Sequence, residues 1–182
     1  SDAMHATREP ADATSPLIVG LRAGDPDAIA RCYRSEAPAL LLLAYRLTGS
    51  SADAEDVVHD VFVGLPEAIR RYDERGRFSA WLRQVTARVA LMQRRRTRQR
   101  REESVDDTVV TAISRDVPSD AVVVEDAIDA LPPNLRDVFV LKVLEGYSHA
   151  EIGAMLGISA GASEVRLVRA MRQLRTQLGG TP

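Results

Sequence analysis

Apolar side chains recur at helical spacing through two long stretches of this chain, with no competing run of strict alternation, about four to eight residues long, of the kind a half-buried strand needs. Leu17, Leu21, Ile29, Tyr33, Leu40, Leu43 and Leu47 keep that spacing, and Val57, Val58, Val61, Phe62 and Leu65 line one side of the next segment. A third long helix carries Trp81, Leu82, Val85 and Val89 on one side and runs into six arginines within the eight residues 94–101. Asp25-Pro26 resembles a cap followed by proline in the first turn, Gly49 a C-terminal stop, and Pro66 should kink or break its helix. Residues 102 to 124 lose the periodicity and gain acids, Ser, Thr and Pro118, which reads as a linker of low residual structure. A second block begins near 119, with a helix to about Ala130, a break at Leu131-Pro132-Pro133 and a helix from Asn134 to Leu144. The expected architecture is all-α: a helical domain over 15–101, an acidic linker over 102–118, and over 119–179 a second domain that ends in a helix-turn-helix.

Charge divides the chain at the same places. The formal net charge of −2 conceals +6 over 15–101, −8 over 102–131 and +2 from 132 onward. Two basic blocks joined by an acidic strap suit a polyanion partner for the blocks and a separate role for the strap. The longest apolar run, 37–45, is far shorter than a membrane helix requires, and no basic-then-apolar signal opens the chain. These features point to a cytoplasmic protein without membrane insertion. The one cysteine, Cys32, cannot form an internal disulfide and reads as a small core residue.

The stretch 146–175, "GYSHAEIGAMLGISAGASEVRLVRAMRQLR", carries the sharpest local signals. Ser148 with Glu151 is a capping box, Gly157 permits a left-handed stop, and Ser159 is a natural cap for the following helix. On that helix Leu167, Met171, Leu174 and Leu178 form an expected buried stripe, leaving Ser163, Arg166 and Arg169 to project toward a major groove. The plainer alternative is a helical hairpin with a solvated arginine face. Glu164 would repel phosphate, and it suits a DNA surface only if it points away from the backbone or accepts from a cytosine amino group.

In the first block, "DAEDVVHD" (53–60) admits an enzymatic reading, in which clustered carboxylates and His59 hold a metal for phosphate hydrolysis. That site lacks ligands, since the only other histidines are His5 and His149, and adjacent helix residues point about 100° apart. The helix dipole accounts for Asp53, Glu55 and Asp56 near a helix start, but not for Asp60 a turn later. An acidic docking face for a basic protein surface accounts for all four. In the third helix, Phe78 and Trp81 beside Arg83, Arg88 and Arg94–Arg96 suit unstacked single-stranded bases, although Trp81 fits a core position as well.

Taken in order, "LRAGDPDAIARCYRSEAPALLLLAYRLTG", "DAEDVVHDVFVGL", "RGRFSAWL", the acidic linker, "LPPNLRDVFVLKVLEGYSHAEIGAMLGIS" and "RLVRAMRQLR" resemble the extracytoplasmic-function class of the sigma-70 family over roughly residues 17–178. The resemblance implies a non-enzymatic, bacterial transcription factor with no catalytic residue, metal or cofactor of its own. Its expected partners are core RNA polymerase, promoter DNA and, for most members, an anti-sigma factor. It places polymerase docking at Asp53, Glu55, Asp56 and Asp60. Recognition and melting of the minus-ten element would fall to Arg77, Phe78, Trp81, Arg88 and Arg95. Reading of the minus-thirty-five element would fall to Ser159, Ser163, Glu164, Arg166 and Arg169. The sequence departs from the family pattern at Pro66, at Arg88, and at Glu164 with Val165 and Val168, where basic or polar residues are common; the departures on the last helix imply an unusual target. A stand-alone helix-turn-helix regulator, with the first block as a sensor or dimerisation domain, is the alternative in a different class.

Overall fold

The computed structural model describes residues 15–73, 76–103 and 119–179; most of the acidic linker expected over 102–118 lies outside the described residues. Eight α-helices account for nearly all of them: α1 (Pro16–Ala23), α2 (Pro26–Thr48), α3 (Ser51–Ala68), α4 (Phe78–Glu103), α5 (Ser119–Asp129), α6 (Pro133–Phe139), α7 (His149–Leu156) and α8 (Ala160–Gln177). Among the described residues there is no strand, and no helix is long and apolar enough to cross a membrane.

The starts and stops follow from side-chain chemistry. Asp25 caps α2 by accepting from the Asp27 amide at 3.2 Å, and Ser50 caps α3 by accepting from the Asp53 amide at 3.3 Å. Gly49 closes α2 at φ 76°, a conformation that costs other residues dearly. α2, α3 and α4 pack on one another around Leu40, Leu43, Leu47, Val57, Val58, Leu65 and Leu82, all fully buried, while α1 packs against α2 and α3. In the second unit α6 and α7 pack on α8 around Val138, Leu141, Ile152 and Ala170.

Three expectations need correction. Pro66 does not break α3, which runs two residues further and then tightens into a 3-10 turn at Ile69–Arg71; α2 likewise carries Pro38 in its interior. An interior proline costs about 3 kcal/mol, and the flanking buried residues Leu40, Leu43, Val61 and Leu65 offset it through packing. The helix expected from Asn134 to Leu144 changes character at Val140, becoming a wide π turn to Leu144 that closes with Glu145 N–H donating to the Val140 carbonyl at 3.0 Å. On α8 the expected stripe holds at Leu174, which is buried, and at Leu167 and Met171, which are half-buried against the core, but Leu178 is exposed and the line is completed toward the N-terminus by Ser163 and Ala170.

Two glycines of the helix-turn-helix do different work. At Gly153 an added Cβ would lie 2.6 Å from the Ile158 carbonyl oxygen, so α7 meets the turn only because that position is bare. At Gly161 an added Cβ would meet nothing within 4 Å. Gly153→Ala is therefore expected to destabilise the second unit by about 1–3 kcal/mol, seen as a lowered urea midpoint, whereas Gly161→Ala leaves the midpoint unchanged or raises it. Cys32 is fully buried, and burial, aided by the nearby Glu36 charge, pushes its thiol up to about 11. The thiol is expected to resist a disulfide reagent at pH 8 in the native protein and to react on unfolding.

Candidate functional site

The α3 carboxylates fall on the side of the helix away from the core. Val57, Val58 and Val61 are buried, whereas Glu55, Asp56 and Asp60 are exposed and Asp53 is half-buried in the first turn. His59 approaches Asp60 only at 3.9 Å, and both are largely in solvent. Among the described residues no three His, Cys, Asp or Glu side chains converge in a way that could hold a metal ion, so the phosphohydrolase reading finds no ligand set there.

On α4, Trp81, Arg88 and Arg95 are seven residues apart and so fall on one line along the helix, opposite buried Thr86 and Ala90. Trp81 is neither free nor fully buried. Its ring centroid lies 5.0 Å from that of Tyr72 and 5.8 Å from that of Phe78, forming a three-ring cluster at the start of α4. Tyr72 is a member that the sequence reading missed; its signal was an aromatic a few residues ahead of "RGRFSAWL". Arg77 is exposed immediately ahead of α4, where its carbonyl accepts from the Trp81 amide at 2.9 Å.

The helix-turn-helix is built largely as its sequence pattern implies. Ser148 and Glu151 cap α7 reciprocally, and Ser159 accepts from the Ala162 amide at 3.0 Å. The hydrogen bonds from Ser148 hold the Glu151 carboxyl below the usual carboxylate range. Ser163 departs from its expected outward placement. It is fully buried, with its hydroxyl 2.9 Å from His149 Nδ1, where it fastens α8 to α7 rather than facing a groove. Arg166 is half-buried and turned toward α4, lining a cleft with Arg94, Arg95, Arg98 and Asp137. Glu164 and Arg169 are exposed.

The two units are in contact, and the contact is ionic. Arg83 of α4 clasps Glu145 with two hydrogen bonds of 2.7 and 2.6 Å, and Arg94 clasps Asp137 while donating to the Leu47 carbonyl at 2.9 Å. The two carboxylates are almost wholly buried, at 3% and 4% side-chain exposure. Arg46 of α2 pairs with Glu125, and the Tyr45 hydroxyl donates to Asp129 at 3.2 Å. Arg95 donates to the Met155 carbonyl at 2.9 Å, so that α7 lies against the Arg88–Arg95 line. Hydrogen bonds to their carboxylate partners hold the Arg83 and Arg94 guanidinium groups above their ordinary range, against the effect of burial. Burial pushes the Asp137 carboxyl upward, opposed by its bonds to Arg94.

Residues 32–101 match the sigma-70 region 2 family model, and residues 121–174 match sigma-70 region 4. The extracytoplasmic-function sigma factor SigE of Mycolicibacterium smegmatis is 33% identical over 183 residues, covering 93% of this chain and 70% of the relative. CarQ of Myxococcus xanthus, an RNA polymerase sigma factor, is 33% identical over 167 residues, covering 87% and 93%. The chain belongs to the extracytoplasmic-function class of sigma-70 family sigma factors. Among solved structures, the sigma factor RpoE, co-crystallised with the anti-sigma factor NepR from Bartonella quintana, shares the fold with a TM-score of 0.65 at 21% identity, covering 84% of this chain and 98% of that one. CnrH, solved with the cytosolic domain of CnrY, gives a TM-score of 0.54 at 27% identity, covering 91% and 97%.

In this sigma factor, then, α3 and most of α4 fall within the region 2 match and α6, α7 and most of α8 within region 4, with the seam between them held by buried carboxylates. Removing one partner of such a pair costs about 3–5 kcal/mol, because it leaves a buried charge uncompensated. Glu145→Arg sets two guanidinium groups against each other and is expected to increase the radius of gyration in solution scattering at unchanged helix content. The swap Arg83→Glu with Glu145→Arg is expected to restore the compact radius. An unchanged radius in the single variant would show that the pair does not hold the seam.

Proposed function

We infer that this chain is an alternative sigma factor that binds core RNA polymerase through the α3 carboxylates and directs it to promoters, with α4 engaging the minus-ten element and α8 the minus-thirty-five element. The observation that carries this reading is the division of labour within a family member. An acidic helix face stands exposed in the first unit, beside a basic helix headed by three aromatic rings. The second unit ends in a capped helix-turn-helix whose last helix carries four arginines. Exposed carboxylates suit a basic protein surface, and the aromatic-plus-arginine face of α4 suits separated bases and their phosphates. The protein supplies recognition, and the chemistry of RNA synthesis stays with the polymerase. Work on polymerase and promoter DNA suits a cytoplasmic protein, and an anti-sigma factor, as NepR is for the structurally similar RpoE, is a further expected partner.

Because α7 and the seam acids engage Arg83, Arg94 and Arg95, promoter opening on this reading requires region 4 to move off α4. The α3 face is exposed without that movement.

The test is co-elution with bacterial core RNA polymerase on a sizing column. One-to-one co-elution is expected, and Asp56→Arg is expected to abolish it at unchanged helix content. Separate elution of the wild-type chain, with a control sigma factor binding normally, would contradict the reading and favour a stand-alone regulator. Unimpaired binding of Asp56→Arg would remove α3 from the docking role alone.

A further inference from the structure

We propose that Val165 and Val168, on the outward face of α8, read the 5-methyl groups of two neighbouring thymines in the major groove, with Glu164 beside them accepting from a cytosine amino group. This rests on the reading of α8 as the minus-thirty-five helix and specifies what that helix selects. The placement follows from the buried line. With Ser163, Leu167, Ala170 and Leu174 turned inward, steps of about 100° per residue put Gly161, Val165, Val168 and Arg172 on the opposite side. Glu164 and Arg169 then stand at its two edges. The two valines are 51% and 58% exposed. A single exposed valine needs no explanation. Two of them one turn apart, in the part of a basic helix that would enter a groove, form a small apolar surface whose match must be apolar.

The surroundings identify that match as DNA rather than a protein. Arg166, Arg169, Arg172 and Arg175 give the helix four positive charges against the single negative charge of Glu164, which complements a phosphate backbone. In the major groove the apolar group available is the thymine methyl. Residues three apart on a helix have Cβ atoms about 5–6 Å apart, which matches methyls on neighbouring base steps of about 3.4 Å rise once their lateral offset is included. Gly161 adds an independent observation. Nothing inside the protein occupies the space of its missing side chain, and glycine in a helix costs about 0.5–1 kcal/mol relative to alanine. A bare position on the same outward face lets a base edge or sugar approach the backbone. Glu164 fits the same surface, because a carboxylate is tolerated in a groove where it accepts from cytosine N4 and repelled where it meets phosphate.

The experiment uses the full chain with core RNA polymerase. Duplexes are first selected from a random-sequence pool placed at the minus-thirty-five position, and each thymine of the selected element is then replaced by deoxyuridine, which removes only the methyl. At two neighbouring positions the replacement is expected to weaken binding about fourfold, corresponding to about 0.8 kcal/mol for one buried methyl. Val165→Ala and Val168→Ala, both at exposed positions that leave the fold intact, are each expected to abolish sensitivity at one of those two positions and not at the other. If a defined element is selected but uracil is tolerated throughout, or if the variants keep full uracil sensitivity, the methyl-reading role is overturned while the minus-thirty-five reading stands. If no sequence is enriched at that position, the minus-thirty-five reading itself fails.

Discussion

The buried carboxylates Asp137 and Glu145 set the arrangement of everything around them. A carboxylate removed from water needs a cation within hydrogen-bonding reach, and in this fold both cations come from α4 of the other unit: Arg94 and Arg83. These two arginines are eleven residues, or about three helical turns, apart, so the pairs pin region 4 to α4 at two separated points and fix its orientation as well as its position. Local structure serves that end. The wide π turn at Val140–Leu144 alters the register in which Glu145 leaves its helix, relative to a continued α-helix. Arg94 also satisfies the Leu47 carbonyl in the last turn of α2, tying the seam to the region 2 core.

The helical plan, the two-unit division and the helix-turn-helix were legible because each rests on local rules: periodicity, caps and glycine stops. Legibility failed where tertiary packing overrules a local preference. Pro66 and Pro38 remain inside helices because the residues flanking them are buried, a gain that no local window records. The burial of Ser163 and Ala170 on α8 has a similar cause. Ser163 and Ala170 fit the tight approach to α6 and α7, and the Ser163 hydroxyl finds His149, so a polar residue occupies a position that apolar patterning reserves for leucine. The seam was the least legible feature. Arg83, Arg94 and their acids are 62 and 43 residues apart in the chain, and composition pointed to a polyanion partner for the basic blocks rather than to acids of the same chain. Among the described residues the acids across the seam are Glu125 and Asp129, from the end of the acidic 102–131 stretch, and Asp137 and Glu145, beyond it.

On the proposed reading, the α4 arginines have two anionic partners that exclude each other. Intramolecular carboxylates have the advantage of tethering, since they act at a high effective concentration and pay no cost of association. A DNA backbone has the advantage of number, because each neutralised phosphate releases a condensed counterion. Carboxylates at near-complete burial are screened little by salt, whereas binding to DNA weakens steeply as salt rises. The closed arrangement is therefore favoured most where free DNA binding is weakest. The exposed α3 carboxylates stand outside this competition, on a helix face that neither unit covers. On the proposed reading, polymerase docks at a face that is open in the closed protein. Energy from that docking then becomes available to separate the seam and release α4, a step that DNA alone would have to drive against two buried ion pairs.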